Sequence, residues 1–316
     1  MGWSSCGLNI PGHPCQCSRV RFYDLRPTQM ALSFSRFFFR YRKWGIRPTD
    51  LVLDVGSGAA PNPRANVLCD RAAGDSIERE RGMGLVFDRP AVLADAERLP
   101  FRDGAFDFVI CAHMLEHVAH PERVIAELTR VGKRGYIETP SPVWERLHGT
   151  PYHRWTVWTE DSVLHFRAKP GPVLDPELDA WRSRADLEAR EAMLALHYHL
   201  YEVGMVTELL WNGSVEVAVD RTHGEGDFVA AAGGGDDWKE APGDLKDHLK
   251  QQVARLVRRR SDRRLDLVTL LRCPTCAGSF ETRSDGIVCQ GCGRLVPYVR
   301  GVPVFLDDAG SSSPGR

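Results

Sequence analysis

Four cysteines near the C-terminus carry the clearest chemical pattern in this sequence of 316 residues. Cys273-Pro-Thr-Cys276 and Cys289-Gln-Gly-Cys292 are two C-x-x-C pairs, separated by residues 277–288. Each pair forms a tight knuckle that turns two thiolates toward one ion, and two knuckles complete the tetrahedral coordination of Zn²⁺. We therefore predict a structural zinc site with these four ligands; a redox-active dithiol is the alternative.

Three carboxylates stand where a small ligand is expected to bind. Asp54 lies inside a predicted strand that ends in Gly56-Ser57-Gly58, and Asp70 and Asp95 follow the next two predicted strands. Ligands of open α/β sheets bind beyond the carboxyl ends of the strands, where glycine lets the backbone approach closely. Carboxylates there suit a ribose, an adenine edge and a cationic sulfonium better than a pyrophosphate. The alternative is that they only cap turns.

An alternating order of strands and helices from residue 50 would position these groups. Short apolar runs predict buried parallel strands at 51–55, 65–68, 91–94, 106–111 and 135–138. The clearest helix spans 121–130 and begins with Pro121 at its first position. Only about one helical turn fits between Gly58 and Asp70, because a full crossover needs more chain. The pairing position of the second strand is therefore left open.

Antiparallel elements follow the parallel part. Residues 154–168 alternate as a hairpin with its turn at Glu160–Ser162, and 205–211 and 214–219 flank Asn212–Gly213, a strong hairpin signal. The predicted fold class is α/β, a Rossmann-like, mostly parallel sheet with a terminal antiparallel hairpin. A small C-terminal zinc ribbon completes it.

Three motifs resemble the class I S-adenosylmethionine-dependent methyltransferases, in particular their type 11 branch. They are LDVGSG at 53–58, ADAERLPF at 94–101 and FDFVICAHMLEHVAHPERVIAEL at 106–128, and the resemblance covers roughly residues 50–220. It implies S-adenosyl-L-methionine as cofactor, held at its methionine, ribose and adenine parts. The residues implied are Asp54, Gly56, Ser57 and Gly58 for the methionine, Asp70 for the ribose, Asp95 and Ala96 for the adenine, and Cys111, Ala112 and His113 along the methionyl side.

A second resemblance concerns residues 270–306, which look like the zinc-ribbon family of the small activator subunit of tRNA and release-factor methyltransferases. In that family the ribbon docks to a methyltransferase partner. Here ribbon and partner would be fused, which implies an intramolecular scaffold or a substrate-recruiting module. At the other end of the chain, Cys6, His13, Cys15 and Cys17 offer a second set of metal ligands, but their spacing fits no ribbon and their role is left open.

The domain organisation expected from these patterns has six parts. They are an N-terminal segment with a cap helix (1–49), the methyltransferase domain (50–221) with an inserted hairpin (152–169), a linker (222–244), a basic amphipathic helix (245–266), the zinc ribbon (267–308) and a disordered tail (309–316).

Candidate catalytic residues cluster after the predicted strands. Methyl transfer is an in-line displacement, so a general base is needed only where the acceptor must lose a proton. His113, His117 and His153 are the candidates, with Glu138 and His148 as further possible bases. For Glu116-His117, a polar pair that stabilises a turn is the alternative interpretation.

The expected function is transfer of a methyl group to an oxygen or nitrogen of a small-molecule or biosynthetic intermediate. The fourth strand lacks the Asn/Asp-Pro-Pro-aromatic motif, which disfavours nucleobase and glutamine amides. One alternative is an RNA methyltransferase that grips phosphates with the ribbon and the Arg258–Arg264 cluster. Another is a non-enzymatic zinc-ribbon interaction scaffold.

Composition agrees with a globular, cytoplasmic protein. The hydrophobic fraction of 43% is typical of globular proteins. The formal net charge of −1 makes nucleic acid a possible but disfavoured partner. A small-molecule acceptor is the preferred partner. No apolar run reaches about 18 residues, and we expect no membrane span. The N-terminus lacks a basic-then-apolar signal pattern. The oligomeric state is left open.

Overall fold

The computed structural model describes residues 44–58, 61–71, 88–148, 150, 152–170, 204–222 and 265–306. All of them belong to the unit Trp44–Arg316. The N-terminal cysteines, the predicted cap helix up to residue 43, the helix predicted from Asp175, the linker after Thr222 and most of the basic segment lie outside the described residues. None of the helices in these ranges is long and apolar enough to cross a membrane.

The described residues before 223 contain nine strands. In chain order they are β1 Val52–Val55, β2 Val67–Asp70, β3 Ala91–Leu93, β4 Phe108–Ala112, β5 Arg134–Pro140, β6 Trp155–Glu160, β7 Val163–Ala168, β8 Val206–Asn212 and β9 Glu216–Asp220. The central sheet has the order β3-β2-β1-β4-β5-β8, and only β8 runs antiparallel to its neighbour. The predicted Rossmann-like sheet is confirmed, and the second strand pairs beside β1.

Burial on both faces explains why these strands are apolar runs. Every residue of β1 and the first four of β4 are buried, as expected for parallel strands covered on two sides. Helix α1, Pro121–Val131, connects β4 to β5 and buries Val124, Ile125 and Leu128 on one face. Each such side chain contributes about 1.5–3 kcal/mol on burial. Asp54 is the charged exception inside β1.

The antiparallel strand at the end of the sheet is confirmed, but the second arm of the predicted hairpin is wrong. β9 pairs in parallel with β7, not with β8. Asn212 remains paired with Arg134, and only Gly213 has a positive φ, 78°. A two-residue type I′ turn needs positive φ at both central residues. The Gly213 amide instead donates to Lys133 O, just before β5, at 2.9 Å, and after it the chain turns to pair with β7.

A second, three-stranded sheet has the order β6-β7-β9. β6 and β7 are an antiparallel hairpin inside the region predicted as an insertion, and their turn residues Asp161 and Ser162 have φ of 49° and 67°. Helix α2, Pro142–His148, precedes this hairpin. The inner face of the hairpin is buried in the hydrophobic core through Trp155 and Phe166.

The cysteine-bearing C-terminal region covers one edge of the central sheet. Helix α3, Leu267–Leu270, leads into a four-stranded antiparallel sheet of β10 Phe280–Thr282, β11 Gly286–Cys289, β12 Leu295–Val299 and β13 Val302–Pro303. The Phe305 amide donates to Leu93 O of β3 at 2.7 Å, and the Arg102 amide to Leu270 O at 2.9 Å. The first bond satisfies a carbonyl of β3, an edge strand that would otherwise be open, and the second joins the C-terminal region to the segment between β3 and β4.

Candidate functional site

The glycine turn after β1 leaves no space for a side chain. Gly56 has φ of 75°, and a Cβ there would lie 2.7 Å from Met114 Cγ. Just before it, Asp54 is buried and accepts a hydrogen bond from the Asn62 amide at 2.7 Å. Burial raises the pKa of this carboxyl to about 6, although the Asn62 amide and the charge of Arg89 oppose the change. The turn therefore holds a carboxyl group that ionises near neutral pH.

Asp70 binds the same turn from the end of β2. Its Oδ2 accepts a hydrogen bond from the Gly58 amide at 2.8 Å, and Gly58 has φ of 54°. The Gly56 amide donates to Cys69 O, also at 2.8 Å. The carboxylate predicted to bind ribose thus lies against the turn predicted to bind the methionine part.

Asp95 follows β3 and caps a short 3₁₀ helix, Ala96–Arg98. Its Oδ1 accepts a hydrogen bond from the Glu97 amide at 2.9 Å. Cys69, just before Asp70 in β2, pairs with Val55 of β1 and Val92 of β3, so the three strand ends lie side by side. Burial first, and then the charges of Asp70, Asp95 and Asp54, raise the pKa of its thiol. The structure therefore brings the three predicted carboxylates to one acidic edge of the sheet.

Ser57 supplies an independent sign that this edge accommodates a ligand. Its hydroxyl oxygen is buried and has no hydrogen-bond partner within the described residues. A buried hydroxyl without a partner costs about 1–3 kcal/mol, and a polar ligand group would remove that cost. Together with the close-packed Gly56, this donor fits a cofactor that lies against the turn.

The end of β4 presents His113. Cys111 is buried inside the strand, where burial first, and then Glu116 and Asp54, raise the pKa of its thiol. His113 has φ of 52° and a ring that is 41% exposed. Its Nε2 lies 3.1 Å from Oε1 of Glu138, which the sequence analysis also named as a possible base. Desolvation lowers the pKa of His113, but the carboxylates of Glu116 and Glu138 outweigh it and raise the pKa to about 10.

The buried carboxylate of Glu116 lies near all three candidate histidines. Glu116 Oε1 lies 3.6 Å from His113 Nδ1 and 3.8 Å from His117 Nε2. Glu116, His117 and His153 each offer one possible metal-ligand atom, and these three atoms lie within 4.8 Å of one another. Burial raises the pKa of Glu116, but the imidazoles of His113, His117 and His153 hold it below its usual range. We call Glu116, His117 and His153 the Glu116 cluster.

Glu145 of α2 and Lys169, which follows β7, hold His153 in this cluster. His153 Nδ1 is hydrogen-bonded to Glu145 Oε1, and Lys169 Nζ donates to Glu145 Oε2 at 2.6 Å. The His117 ring stacks on Tyr152 with centroids 5.7 Å apart and meets His153 edge-on at 4.7 Å. His153, Glu145 and Lys169 are all buried. The cluster is therefore a built part of the core rather than a chance contact at the surface.

The four C-terminal cysteines also converge as predicted. Cys273 Sγ lies 3.8 Å from Cys292 Sγ, and Cys276 Sγ lies 3.3 Å from Cys289 Sγ. Burial opposes ionisation of Cys289, but the amides of Cys292 and Gly291 hold the pKa of its thiol below its usual range. Four thiols around one point, one of them poised to ionise, are a donor set that fits Zn²⁺.

Sequence reasoning missed the central role of Glu116 and the whole of the Glu145–Lys169 pair. The motif Leu-Glu-His marked Glu116 only as one half of a polar pair. Glu145 and Lys169 carry no local signal, because they meet His153 only when α2 and β7 pack together. The side chain of His148 lies outside the described residues.

Comparisons with known proteins show the family of this chain. Residues 53–137 match the family described as Methyltransferase domain. A demethylmenaquinone methyltransferase of Mycolicibacterium vanbaalenii is 30% identical over 183 residues, which are 54% of this chain and 79% of that protein. A ubiquinone/menaquinone biosynthesis C-methyltransferase, UbiE, of Burkholderia mallei is 30% identical over 141 residues, 40% of this chain. The chain spans 58% of the length of that second relative.

Two solved structures are also similar. A methyltransferase-titled protein (BH2331) of Bacillus halodurans has 21% identity and a TM-score of 0.26, over 34% of this chain and 52% of that one. The YcgJ protein of Bacillus subtilis has 21% identity and a TM-score of 0.29, over 38% of this chain and 61% of that one. TM-scores of this size carry no argument about function.

Proposed function

The chain belongs to the S-adenosylmethionine-dependent methyltransferases, and from this premise we propose that it methylates an oxygen or nitrogen of a small-molecule acceptor. The observation that carries the proposal is the convergence of His113, Glu138 and the Glu116 cluster beside the acidic edge of the sheet. Oxygen and nitrogen acceptors must lose a proton, and they need polar groups around the acceptor atom. The two relatives named above are titled as quinone-pathway methyltransferases, which supports a small acceptor.

For the cofactor, we propose that the acidic edge binds S-adenosylmethionine as the sequence motifs imply. Asp54 and the Gly56-Ser57-Gly58 turn would hold the methionine part, and Ser57 would bond a polar group of it. Asp70 would accept the ribose hydroxyls, and Asp95 with Ala96 would meet the adenine. Cys111, Ala112 and His113 would line the methionyl side. When bound, this cofactor supplies the electrophilic methyl group, and the chain orients it.

On the acceptor side, we propose that His113 touches the acceptor. It is the accessible member of the three candidate histidines, since the side chains of His117 and His153 are only 13% and 8% exposed. Glu138 positions the ring through Oε1 and is itself almost wholly buried. Bringing methyl and acceptor into contact supplies much of the rate enhancement of an in-line transfer.

For the cysteine site, we propose that Cys273, Cys276, Cys289 and Cys292 bind Zn²⁺ in a structural role. With all four positions taken by thiolates, no open position is left for a substrate. The bond between Phe305 and Leu93 supports an intramolecular scaffold that stabilises β3, because it joins the two regions backbone to backbone.

A labelling experiment tests the proposed acceptor chemistry. The purified protein is incubated with S-adenosylmethionine carrying a ¹³C-methyl group and a panel of phenols, catechols, quinols and amines. We expect label on oxygen or nitrogen in products identified by mass spectrometry and NMR. Label attached only to ring carbon would overturn the proposed acceptor atom.

A further inference from the structure

The Glu116 cluster offers metal ligands that neither the cofactor site nor the cysteine site uses. We propose that Glu116, His117 and His153 bind a divalent first-row transition-metal ion that in turn binds the acceptor. The role assigned to the ion rests on the proposed methyl transfer, whereas the binding itself does not.

Glu116 is a buried carboxylate that lacks the hydrogen bonds such a group normally has. Its side chain is 1% exposed, and neither carboxylate oxygen accepts a hydrogen bond within the described part of the chain. The imidazole nitrogens of His113 and His117 are 3.6 Å and 3.8 Å away, beyond hydrogen-bond distance. Buried charges in proteins are paired, hydrogen-bonded or bound to metals. Glu116 is paired with the histidines by charge alone, and an ion between them would bond its oxygens directly.

His153 is oriented as a metal-binding histidine is. The Glu145 carboxylate, held by Lys169, can only accept a hydrogen bond, so Nδ1 of His153 carries the proton. The other nitrogen, Nε2, then keeps its lone pair. Metal-ligating histidines commonly donate their second nitrogen to a carboxylate, which fixes the tautomer and strengthens the ligand.

The spacing of the three groups is slightly wider than that of bound ligands. One ligand atom from each lies within 4.8 Å of the others, whereas ligands with bonds of about 2.1 Å to one ion lie about 3–3.5 Å apart. Rotations that move the side chains by about 1 Å would close the difference.

The cluster lies beside the predicted position of the methyl group. Cys111 of β4 pairs with Val55 of β1, the residue before Gly56, and His113, two residues further on, has its Nδ1 3.6 Å from Glu116 Oε1. The cluster and the glycine turn therefore flank the same strand end. His113 lies between Glu116 and Glu138 with an exposed ring. The open side of the cluster is thus the side on which an acceptor would enter.

Two histidines and one carboxylate leave coordination positions open, as in catalytic rather than structural sites. An acceptor hydroxyl bound there would lose its proton to water more readily, because a metal ion lowers the pKa of a bound hydroxyl. Its oxygen would form the bond to the methyl carbon, and the electron pair of the carbon–sulfur bond would return to sulfur, leaving a neutral thioether. The ligand class is therefore an oxygen acceptor, such as a phenol or catechol.

Cobalt titration tests the site in the full-length protein, first loaded with Zn²⁺ so that the cysteines are occupied. Added Co²⁺ should bind once per chain and give d–d absorption without the thiolate-to-cobalt charge-transfer band. Paramagnetic NMR of the same sample should show shifted imidazole protons from two histidines. This second measurement needs no variant, so it remains decisive where a substitution prevents folding.

Variants then assign the ligands. Glu116→Gln and His153→Gln should each weaken Co²⁺ binding at least about tenfold. The matched control is His120→Gln, a half-buried histidine of the same loop that lies outside the cluster. No Co²⁺ binding up to about 1 mM, no shifted histidine protons, or wild-type affinity in both variants would overturn the proposal. Co²⁺ binding without any methyl transfer would instead overturn the proposed function and leave the metal site standing.

Discussion

His113 is bound to Glu138 twice, once through its ring and once through its backbone. Nε2 lies 3.1 Å from Glu138 Oε1, and the His113 amide donates to Glu138 O at 2.8 Å. A non-glycine residue with φ of 52° is uncommon and costs about 1–2 kcal/mol. The two bonds across the ends of β4 and β5 offset that cost, and they aim the imidazole out of the sheet.

We therefore expect Glu138→Gln to lower kcat without changing affinity for the cofactor. Glutamine keeps the size of the side chain but removes the charge that orients His113, so we expect a loss of about tenfold to a hundredfold. Steady-state kinetics with a methylated product as readout measures kcat, and calorimetry with S-adenosylhomocysteine measures the affinity.

The matched control for this substitution is Glu208→Gln. Tyr136 donates toward both Glu138 and Glu208, but Glu208 is exposed on β8, away from His113. We expect its kcat to stay within about twofold of wild type. Equal losses in the two variants would show that the Tyr136 contacts, and not the orientation of His113, control the rate.

Gly56→Ala should impair both stability and cofactor binding. The new Cβ would meet Met114 Cγ at 2.7 Å in a backbone conformation of φ 75°, and we expect a loss of about 2–4 kcal/mol in the free energy of unfolding. Gly104→Ala is the control, because it has φ of 61° with nothing within 4 Å of its Cβ. It should lose only about 1 kcal/mol and bind the cofactor normally. Equal stability in the two variants by urea unfolding would contradict the close packing at Gly56.

Cofactor affinity should depend on pH through Asp54. Burial raises the pKa of its carboxyl to about 6, so the group is neutral below that pH and charged above it. A cationic cofactor prefers the charged form, so affinity for S-adenosylmethionine should rise about tenfold from pH 5 to pH 7 and then level off. Asp54→Asn should flatten this profile, whereas Asp161→Asn, in the exposed turn of β6 and β7, should keep it. An unchanged slope in Asp54→Asn would exclude Asp54 as the titrating group.

Removal of metal from the cysteine site should loosen the edge of the central sheet. Chelation would release the four thiolates, and the backbone bond from Phe305 to Leu93 would then open more often. We expect hydrogen exchange at 91–93 to speed up at least about tenfold, while exchange at 164–168 in the second sheet stays constant. Exchange that changes only between 273 and 292 would show that the metal does not support the docking.

The sequence was sufficient for the parts of the fold that depend on local pattern. Apolar runs located the parallel strands to within two residues or so, as with β4, predicted at 106–111 and observed at Phe108–Ala112. The order of chemical motifs also located the three carboxylates at one edge, because parallel strands present their carboxyl ends together.

Interactions between distant segments were beyond that reasoning. Asn212–Gly213 carries the hairpin signal, yet pairing of Asn212 with Arg134 overrides it and sends β9 to another sheet. The contact of His153 with Glu145 and Lys169 likewise appears only after α2 and β7 have packed. Turn and motif rules use only residues that are close in sequence, whereas the pairing of β9 and the contacts of His153 depend on which segments pack together in the folded chain.

Calorimetric titration of the purified protein with S-adenosylmethionine tests the central claim most directly, since the proposed methyl transfer depends on the acidic edge. We expect one molecule bound per chain with micromolar affinity, and affinity at least about tenfold weaker in Asp70→Asn, whose side chain would lose its charge beside the Gly58 amide. The absence of binding to folded wild-type protein at up to about 1 mM, or equal affinity in Asp70→Asn, would contradict the assignment of this edge as the cofactor site.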